Sequence, residues 1–298
     1  MTTHNPALPP PPAPLSPAAA ATTTTNKPTV AFTTPQNYAS RLSRLLTLKG
    51  YDPLWCPTLH VHATPHSLIP YLSPPNLDAF SALAFTSRAA IQSFSAAAAA
   101  FNEPLLSPRG EAFIVAALGK DSELIDHDVV SKLCENAKRI RVLVPPVATP
   151  SGLVEALGDG LCRGVLCPVP LVVGLTEPPV VPDFLRDLEE KGWVPVRVSA
   201  YETRWAGAEC ARVVVERGRG LGAVVFTSSA EVEGLLKSLR EFGWRDWEEF
   251  VKERCPEVVV AAHGPVTAAG AERLGVKVDV VSSRFDSFEG VVDALGLK

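Results

Sequence analysis

The second half of this 298-residue chain repeats the first, faintly and in the same order. Ala84-Phe85-Thr86-Ser87-Arg88-Ala89-Ala90 returns as Val225-Phe226-Thr227-Ser228-Ser229-Ala230-Glu231. Val115-Ala116-Ala117-Leu118-Gly119, then Ser122, returns as Val260-Ala261-Ala262-His263-Gly264, then Thr267. Val154-Glu155-Ala156-Leu157-Gly158 returns as Val292-Asp293-Ala294-Leu295-Gly296, and Lys49-Gly50-Tyr51-Asp52-Pro53 as Lys191-Gly192-Trp193-Val194-Pro195. The offsets are all roughly 140 residues. One such match would be chance; four in order point to a duplicated domain. A duplicated α/β domain makes two similar lobes, and the cleft between lobes is where small ligands bind.

Each copy reads as alternating strands and helices. Val30–Thr33, Leu83–Phe85, Phe113–Leu118 and Ile140–Val144 are short apolar strands of the first copy. Helices are expected over Pro35–Lys49, Ser87–Ala100, from about Ser122, and after Thr149 and Ser151. Leu54–Val61 reads as one extended stretch. The second copy offers strands at Gly164–Cys167, Ala223–Phe226, Val258–Ala262 and Val278–Val281, with Val196–Tyr201 extended. Its helices are expected over Pro182–Lys191, Ser229–Phe242 and Val266–Leu274, with a last one from Ser287. Such alternation means βαβ units and a parallel sheet in each lobe. Near-continuous apolar strands fit sheets covered on both faces.

In parallel sheets the ligand sits beyond the carboxyl ends of the strands. Here those positions are Thr33, Thr86, Ser87, Ser122, Thr149, Thr227, Ser228, Thr267 and Ser287, nearly all hydroxyl residues at helix starts. Ser and Thr are favoured there as caps, because the side-chain oxygen accepts an orphan backbone N–H. Several helix N-termini converging on one cleft also make an anion-binding surface. A ligand carrying many carboxylates or phosphates would suit it.

The net charge of −4 leaves no basic footprint for nucleic acid. The longest apolar runs, Ser95–Phe101 and Val165–Val173, are too short to span a bilayer. Cys56, Cys134, Cys162, Cys167, Cys210 and Cys255 form no CxxC pair and are expected as buried, reduced thiols. Residues 1–28 are Pro-, Ala- and Thr-rich low complexity. They fit either a disordered tail or a plastid transit segment, so the compartment is cytoplasm or plastid.

Other constellations fail. His60, His62 and His66 have no Asp, Glu or Cys to complete a metal site, and a solvated linker is expected. Gly218-Arg219-Gly220-Leu221-Gly222 precedes a strand, whereas a dinucleotide motif follows one. Ser87 and Ser228 lack a His partner for hydrolysis, and no residue set forms a standard catalytic dyad.

The repeated pieces resemble uroporphyrinogen-III synthases. The shared elements are Phe-Thr-Ser ending a strand before an Ala-containing helix (Phe85–Ala90, Phe226–Ala230) and Gly-x-x-Thr-Ala opening a helix (Gly264–Ala268). Further ones are Tyr201-Glu202-Thr203 on the way between lobes, Val30 to Pro57 leading into the second lobe, and Ser287 opening the last helix. The resemblance covers residues 29–298. It implies an α/β fold of two similar parallel-sheet lobes with flanking helices, flavodoxin-like and internally duplicated. Residues 29–58 and 202–298 would form one lobe and 64–195 the other, joined by extended connections at 59–63 and 196–201.

The resemblance also implies a monomeric, cofactor-free and metal-free lyase of tetrapyrrole synthesis, on the way to heme and chlorophyll. It would take the linear tetrapyrrole hydroxymethylbilane, remove water, invert ring D and close the macrocycle. No nucleic acid or membrane would be a partner. Carried over, Tyr201 is the candidate proton donor to the leaving hydroxyl, set against a structural linker role. Thr33, Thr86, Ser87, Ser122, Thr227, Ser228, Thr267 and Ser287 are the candidate substrate-binding residues. Two stretches depart from the family pattern. Gly119-Lys120-Asp121-Ser122-Glu123 brings acidic residues, and Cys167-Pro168-Val169-Pro170 supplies no cation. The competing reading is a catalytically inactive relative that binds a tetrapyrrole or other polyanion between its lobes.

Overall fold

A computed structural model describes residues 27–296; the expectation for residues 1–28 lies almost wholly outside them. Strand β1 (Thr29–Phe32) leads through helix α1 (Gln36–Leu48) to β2 (Asp52–Trp55). Next come β3 (Leu59–Ala63), the single turn α2 (Ile69–Leu72), β4 (Ala82–Phe85), α3 (Arg88–Ala98) and β5 (Phe113–Ala117). Helix α4 (His127–Leu133), β6 (Ile140–Leu143) and α5 (Pro150–Leu157) follow. The long strands β7 (Gly164–Val173) and β8 (Val194–Trp205) flank α6 (Val180–Glu190). Helix α7 (Arg212–Arg217), β9 (Leu221–Phe226), α8 (Ser229–Glu241) and α9 (Trp247–Arg254) come next. Strand β10 (Val259–Ala262), α10 (Pro265–Arg273), β11 (Val280–Val281) and α11 (Phe288–Ala294) end the fold.

The strands make two sheets, β11-β10-β9-β1-β2 and β3-β8-β7-β4-β5-β6. All pairs are parallel except β3 with β8. The repeat matches β1 with β7, β2 with β8, and β4, β5, β6 with β9, β10, β11. On that correspondence the two sheets share one strand order, with β3 as an addition. Neither sheet belongs to a single copy: each takes its first two strands from one copy and its last three from the other.

Strand alternation sends side chains to both faces of each sheet. In the five-stranded sheet, Val30, Phe32, Ala223 and Val225 pack under α1 and α11 through Leu42, Leu46 and Val291. Ala31, Val224, Phe226 and Val260 face the opposite layer of α7, α8 and α9 through Val214, Leu235 and Phe250. The six-stranded sheet is covered likewise, by Leu68, Phe94 and Leu133 on one face and Leu153, Phe184 and Leu188 on the other. Each fully buried Leu or Phe contributes about 1.5–3 kcal/mol. The repeated Lys-Gly pairs end helices in both copies: Gly50 and Gly192 stand at φ 87° and 76°, which L side chains rarely adopt.

Several expectations are corrected. No α-helix starts at Ser122; Gly119–Leu124 is a 3₁₀ stretch, and α4 begins only at His127. Ser122 Oγ donates to Gly119 O at 2.6 Å, which competes with helix formation. Asp126 is the stronger cap, accepting from the amides of Asp128 and Val129 at 3.0 Å. Leu54–Val61 is not one extended stretch: β2 ends at Trp55 and β3, which carries His60 and His62, joins the other sheet. Residues 59–63 and 196–201, expected as extended connections, are extended and pair within the six-stranded sheet as parts of β3 and β8. Strand β7 continues past Cys167 through Pro168 and Pro170, with a register shift at Val169/Pro170. Beyond Leu166 its β4 side is unpaired, which is where a strand tolerates residues lacking an N–H. Cys162 is exposed and Cys210 half-buried, while the other four thiols are buried. No helix among the described residues is long and apolar enough to cross a membrane.

Candidate functional site

The carboxyl ends of both parallel sheets open onto one cleft, a cavity of about 410 Å³. Its walls come from the turns after β1, β4, β5, β6, β7, β9, β10 and β11 and from the strands β3 and β8. The chain crosses between the sheets at two adjacent places, where the Ala206 amide donates to Thr58 O at 2.9 Å. Helix α8 lies against this crossing: a Cβ on Gly234 would come within 2.9 Å of Thr58 O.

Two turns, one from each copy, face the cleft with matching backbone. In the β4–α3 turn, Ser87 caps α3 and accepts from the Ala90 amide at 3.2 Å. In the β9–α8 turn, Ser228 caps α8 and accepts from the Glu231 amide at 3.4 Å. Both turns present a Thr and a Ser to the cleft, Thr86 and Ser87 in one, Thr227 and Ser228 in the other. They differ three residues past the cap. Ala90 leaves the first turn open, whereas Glu231, 1% exposed, folds its carboxylate back into the second. It accepts from Thr33 Oγ1 at 2.7 Å, the Thr227 amide at 2.9 Å and Thr227 Oγ1 at 2.5 Å. Burial pushes its carboxyl up, partly offset by these hydrogen bonds.

Tyr201 projects from β8 beside the open turn and is 7% exposed. Ser87 Oγ donates to its phenol oxygen at 2.8 Å. Burial raises the phenol to about 12, against the lowering effect of Ser87 and with a further push from Asp121. It therefore stays protonated at neutral pH. Tyr38 on α1 stands across the cleft, its phenol also held well above the usual range by burial, Asp121 and Tyr201. Asp121 is raised by burial and opposed by Arg88, whose guanidinium lies 3.5 Å away. The acidic β5 turn is thus neutralised within its own sheet.

Of the eight candidate binding residues, six line the cleft: Thr86, Ser87, Thr227, Ser228, Thr267 and Ser287. Thr227 Oγ1 is committed to Glu231, and Thr267 Oγ1 donates to Thr227 O at 3.0 Å. Thr33 and Ser122 are not among the lining residues. Thr33 is fully buried and bonds Glu231 and Val225 O, while Ser122 turns back on Gly119. Arg41, Lys120, Tyr38 and His263 also line the cleft and were missed from sequence. Both Arg41 and Tyr38 lie on α1, where Tyr38 shares the helical spacing of Leu42 and Leu45 that marks a core face. His263 has a buried Nδ1 without a partner among the described residues, and burial lowers it to about 4, so its ring is neutral. No cluster of metal-binding residues occurs among the described residues.

A family model and a curated relative identify the family. The uroporphyrinogen-III synthase (HemD) family model matches residues 40–291. A putative uroporphyrinogen-III synthase from Methanothermobacter thermautotrophicus is 36% identical over 94 residues, a match spanning 32% of this chain and 34% of that relative. A crystal structure of a mutant uroporphyrinogen III synthase from Thermus thermophilus has a TM-score of 0.54 at 19% identity. That alignment covers 88% of this chain and 95% of the other, and it bears on the fold. The corresponding protein of Helicobacter pylori aligns over 90% of this chain and 97% of its own, at 13% identity and a TM-score of 0.43.

Proposed function

This chain belongs to the uroporphyrinogen-III synthase family, and we propose that it performs that reaction, cyclising hydroxymethylbilane to uroporphyrinogen III without a cofactor. The observation that carries the reading is Tyr201, a buried, protonated phenol held by Ser87 where the open β4–α3 turn meets the cleft. Tyr201 gives its proton to the leaving hydroxyl as the carbon–oxygen bond breaks. Water departs with the bonding pair, and a pyrrole nitrogen lone pair stabilises the resulting azafulvene. Ring D attacks this electrophile through its substituted carbon to give a spiro intermediate. The older bond from that carbon to the ring C methylene then breaks, leaving a second azafulvene on ring C. The free α-carbon of ring D attacks it, so the macrocycle closes with ring D inverted. A proton lost at the end of closure restores the phenol, and no electrons are gained or lost overall.

Once water has left, the electrophile reacts readily, and the chief demand on the protein is to hold the ends in the productive pose. That is catalysis by proximity and orientation, which asks little of any one side chain. Thr86, Ser87, Ser228 and Ser287 at helix starts, together with the free amides of those first turns, bind the substrate's carboxylates. Thr227 and Thr267 shape the wall between them.

Supplying the purified chain with hydroxymethylbilane and resolving the product isomers tests the reading. Type III product above the uncatalysed background is expected. Type I alone would overturn it. One observation favours the second reading, an inactive relative that binds a polyanion: Glu231 already fills one of the two turns. Under that reading the chain binds uroporphyrin III but leaves isomer composition unchanged.

A further inference from the structure

Across the mouth of the cleft, two cations from different sheets converge on one carboxylate. Arg41 sits on α1 and Glu289 on α11, both packed on the five-stranded sheet; Lys120 follows β5 of the six-stranded sheet. Lys120 Nζ reaches Glu289 Oε1 at 3.4 Å and Arg41 stands 3.5 Å from Oε2. Both cations line the cleft. The backbones also touch here: a Cβ on Gly119 would lie 3.2 Å from Asp286 O. Lys120–Glu289 is therefore a contact between the two sheet units, made where a ligand must enter.

The pairing is loose. Glu289 Oε2 is buried yet accepts no hydrogen bond among the described residues, so Arg41 offers charge without alignment. The three side chains are 36–41% exposed. Ion pairs of this kind contribute little and exchange easily. Arg41 is held independently of Glu289, its guanidinium lying 5.6 Å from the centre of the Phe288 ring. Glu289 sits in the first turn of α11, and the neighbouring Ser287, its own backbone amide and both cations lower its carboxyl to about 2. The cations would thus stay in place if the carboxylate were exchanged for another.

We propose that Arg41 and Lys120 form a carboxylate-binding site for the tetrapyrrole, and that Glu289 occupies it as an internal stand-in until a substrate carboxylate displaces it. The proposal rests on the polycarboxylate substrate argued above. It assigns to this chain a cationic site in the loop that looked hostile to carboxylates. It also makes the entering ligand take over the bridge between the two sheet units.

Binding of uroporphyrin III, a stable macrocyclic polycarboxylate, tests this by titration of its fluorescence against the full-length chain and three variants. Arg41→Met and Lys120→Met are each expected to weaken binding about tenfold, the loss of one charge-assisted contact. Glu289→Gln keeps the side chain's shape but removes the competing charge, and is expected to tighten binding about threefold. A merely structural bridge predicts the opposite for Glu289→Gln, which would then weaken binding along with the other two. That result, or unchanged binding in all three, overturns the proposal, as does a wild-type chain that does not bind. Thermal unfolding of each variant separates lost binding from lost fold. If the wild type and variants bind as expected while hydroxymethylbilane yields only type I product, the synthase reading fails and this site stands. If type III product forms but the variants bind like wild type, this site alone fails.

Discussion

The β4–α3 and β9–α8 turns are the same piece of backbone used twice. Their capping serines stand at nearly the same dihedrals, −157° and 155° for Ser87, −149° and 159° for Ser228. A carboxylate sits in the second, donated by Glu231 of the same chain, and it takes two hydroxyls and an amide. The first lacks such a side chain and instead couples to Tyr201. An amide-and-hydroxyl turn after a parallel strand is chemically a carboxylate holder. The second copy uses it to fasten β1 to α8, and the first leaves it open to the cleft. Duplication thus supplied two equivalent turns, and one residue three past the cap separates a turn filled by its own chain from one left open to the cleft.

The contrast can be broken most sharply at Tyr201. Tyr201→Phe should lower turnover of hydroxymethylbilane by about 100-fold or more while barely moving the melting temperature. A rate within about twofold of wild type would remove the phenol as proton donor. Next in size is Glu231→Ala, which strands Thr33 and Thr227 in the core and should cost about 3 kcal/mol in urea unfolding. Glu231→Gln should cost less, since it keeps acceptors in place; equal mild losses would mean the second turn is not held by its own carboxylate.

The third test exchanges His263 for its counterpart in the first copy, Leu118. His263 is depressed to about 4 in the fold, chiefly by burial, with Asp286 raising it and Arg41 lowering it. Below its unfolded value near 6.5 the unfolded chain gains a proton that the folded chain refuses, so this group lowers stability as pH falls from about 6.5 to about 4. His263→Leu should abolish about 2 kcal/mol of that loss, seen as a flatter plot of unfolding free energy against pH. An unchanged slope would assign it elsewhere. The smallest effect is the caps: Ser87→Ala and Ser228→Ala should each cost about 1 kcal/mol. Ser87→Ala should slow turnover more than Ser228→Ala, because it also removes the hydrogen bond to Tyr201, and equal slowing would erase the distinction between the turns.

The repeat, the strand–helix alternation and the hydroxyls after strands were legible because they follow from local patterns: apolar strands, caps, and glycines such as Gly50 and Gly192 ending helices. The layered α/β fold was legible for the same reason. What escaped depends on partners distant in sequence. Nothing near Thr33 announces that a carboxylate at position 231 will claim its hydroxyl. Ser122 matched Thr267 in the repeat, yet its bond to Gly119 and the stronger cap at Asp126 moved the helix start. Arg41 carried no signal in the spacing of α1, and only the docking of α11 beside α1 brings it to Glu289 at the cleft. Cys162 was expected inside, but it sits at φ 61° in the exposed turn before β7. Asp121, whose charge reads in the sequence as opposing carboxylates, is offset by Arg88, a pairing across a strand and a loop that spacing does not reveal.

The exchange of strands between the two copies sets a timetable for synthesis. The six-stranded sheet is built from one continuous stretch, β3 to β8, and can close as soon as Trp205 has left the ribosome. The β1–α1–β2 unit emerges earlier, but β1 pairs with β9, nearly 200 residues later in the chain. At roughly 5–20 residues per second, Val30, Phe32, Leu42 and Leu46 wait about 10–40 s for their cover. Closing that long loop is the slow, aggregation-exposed step of folding.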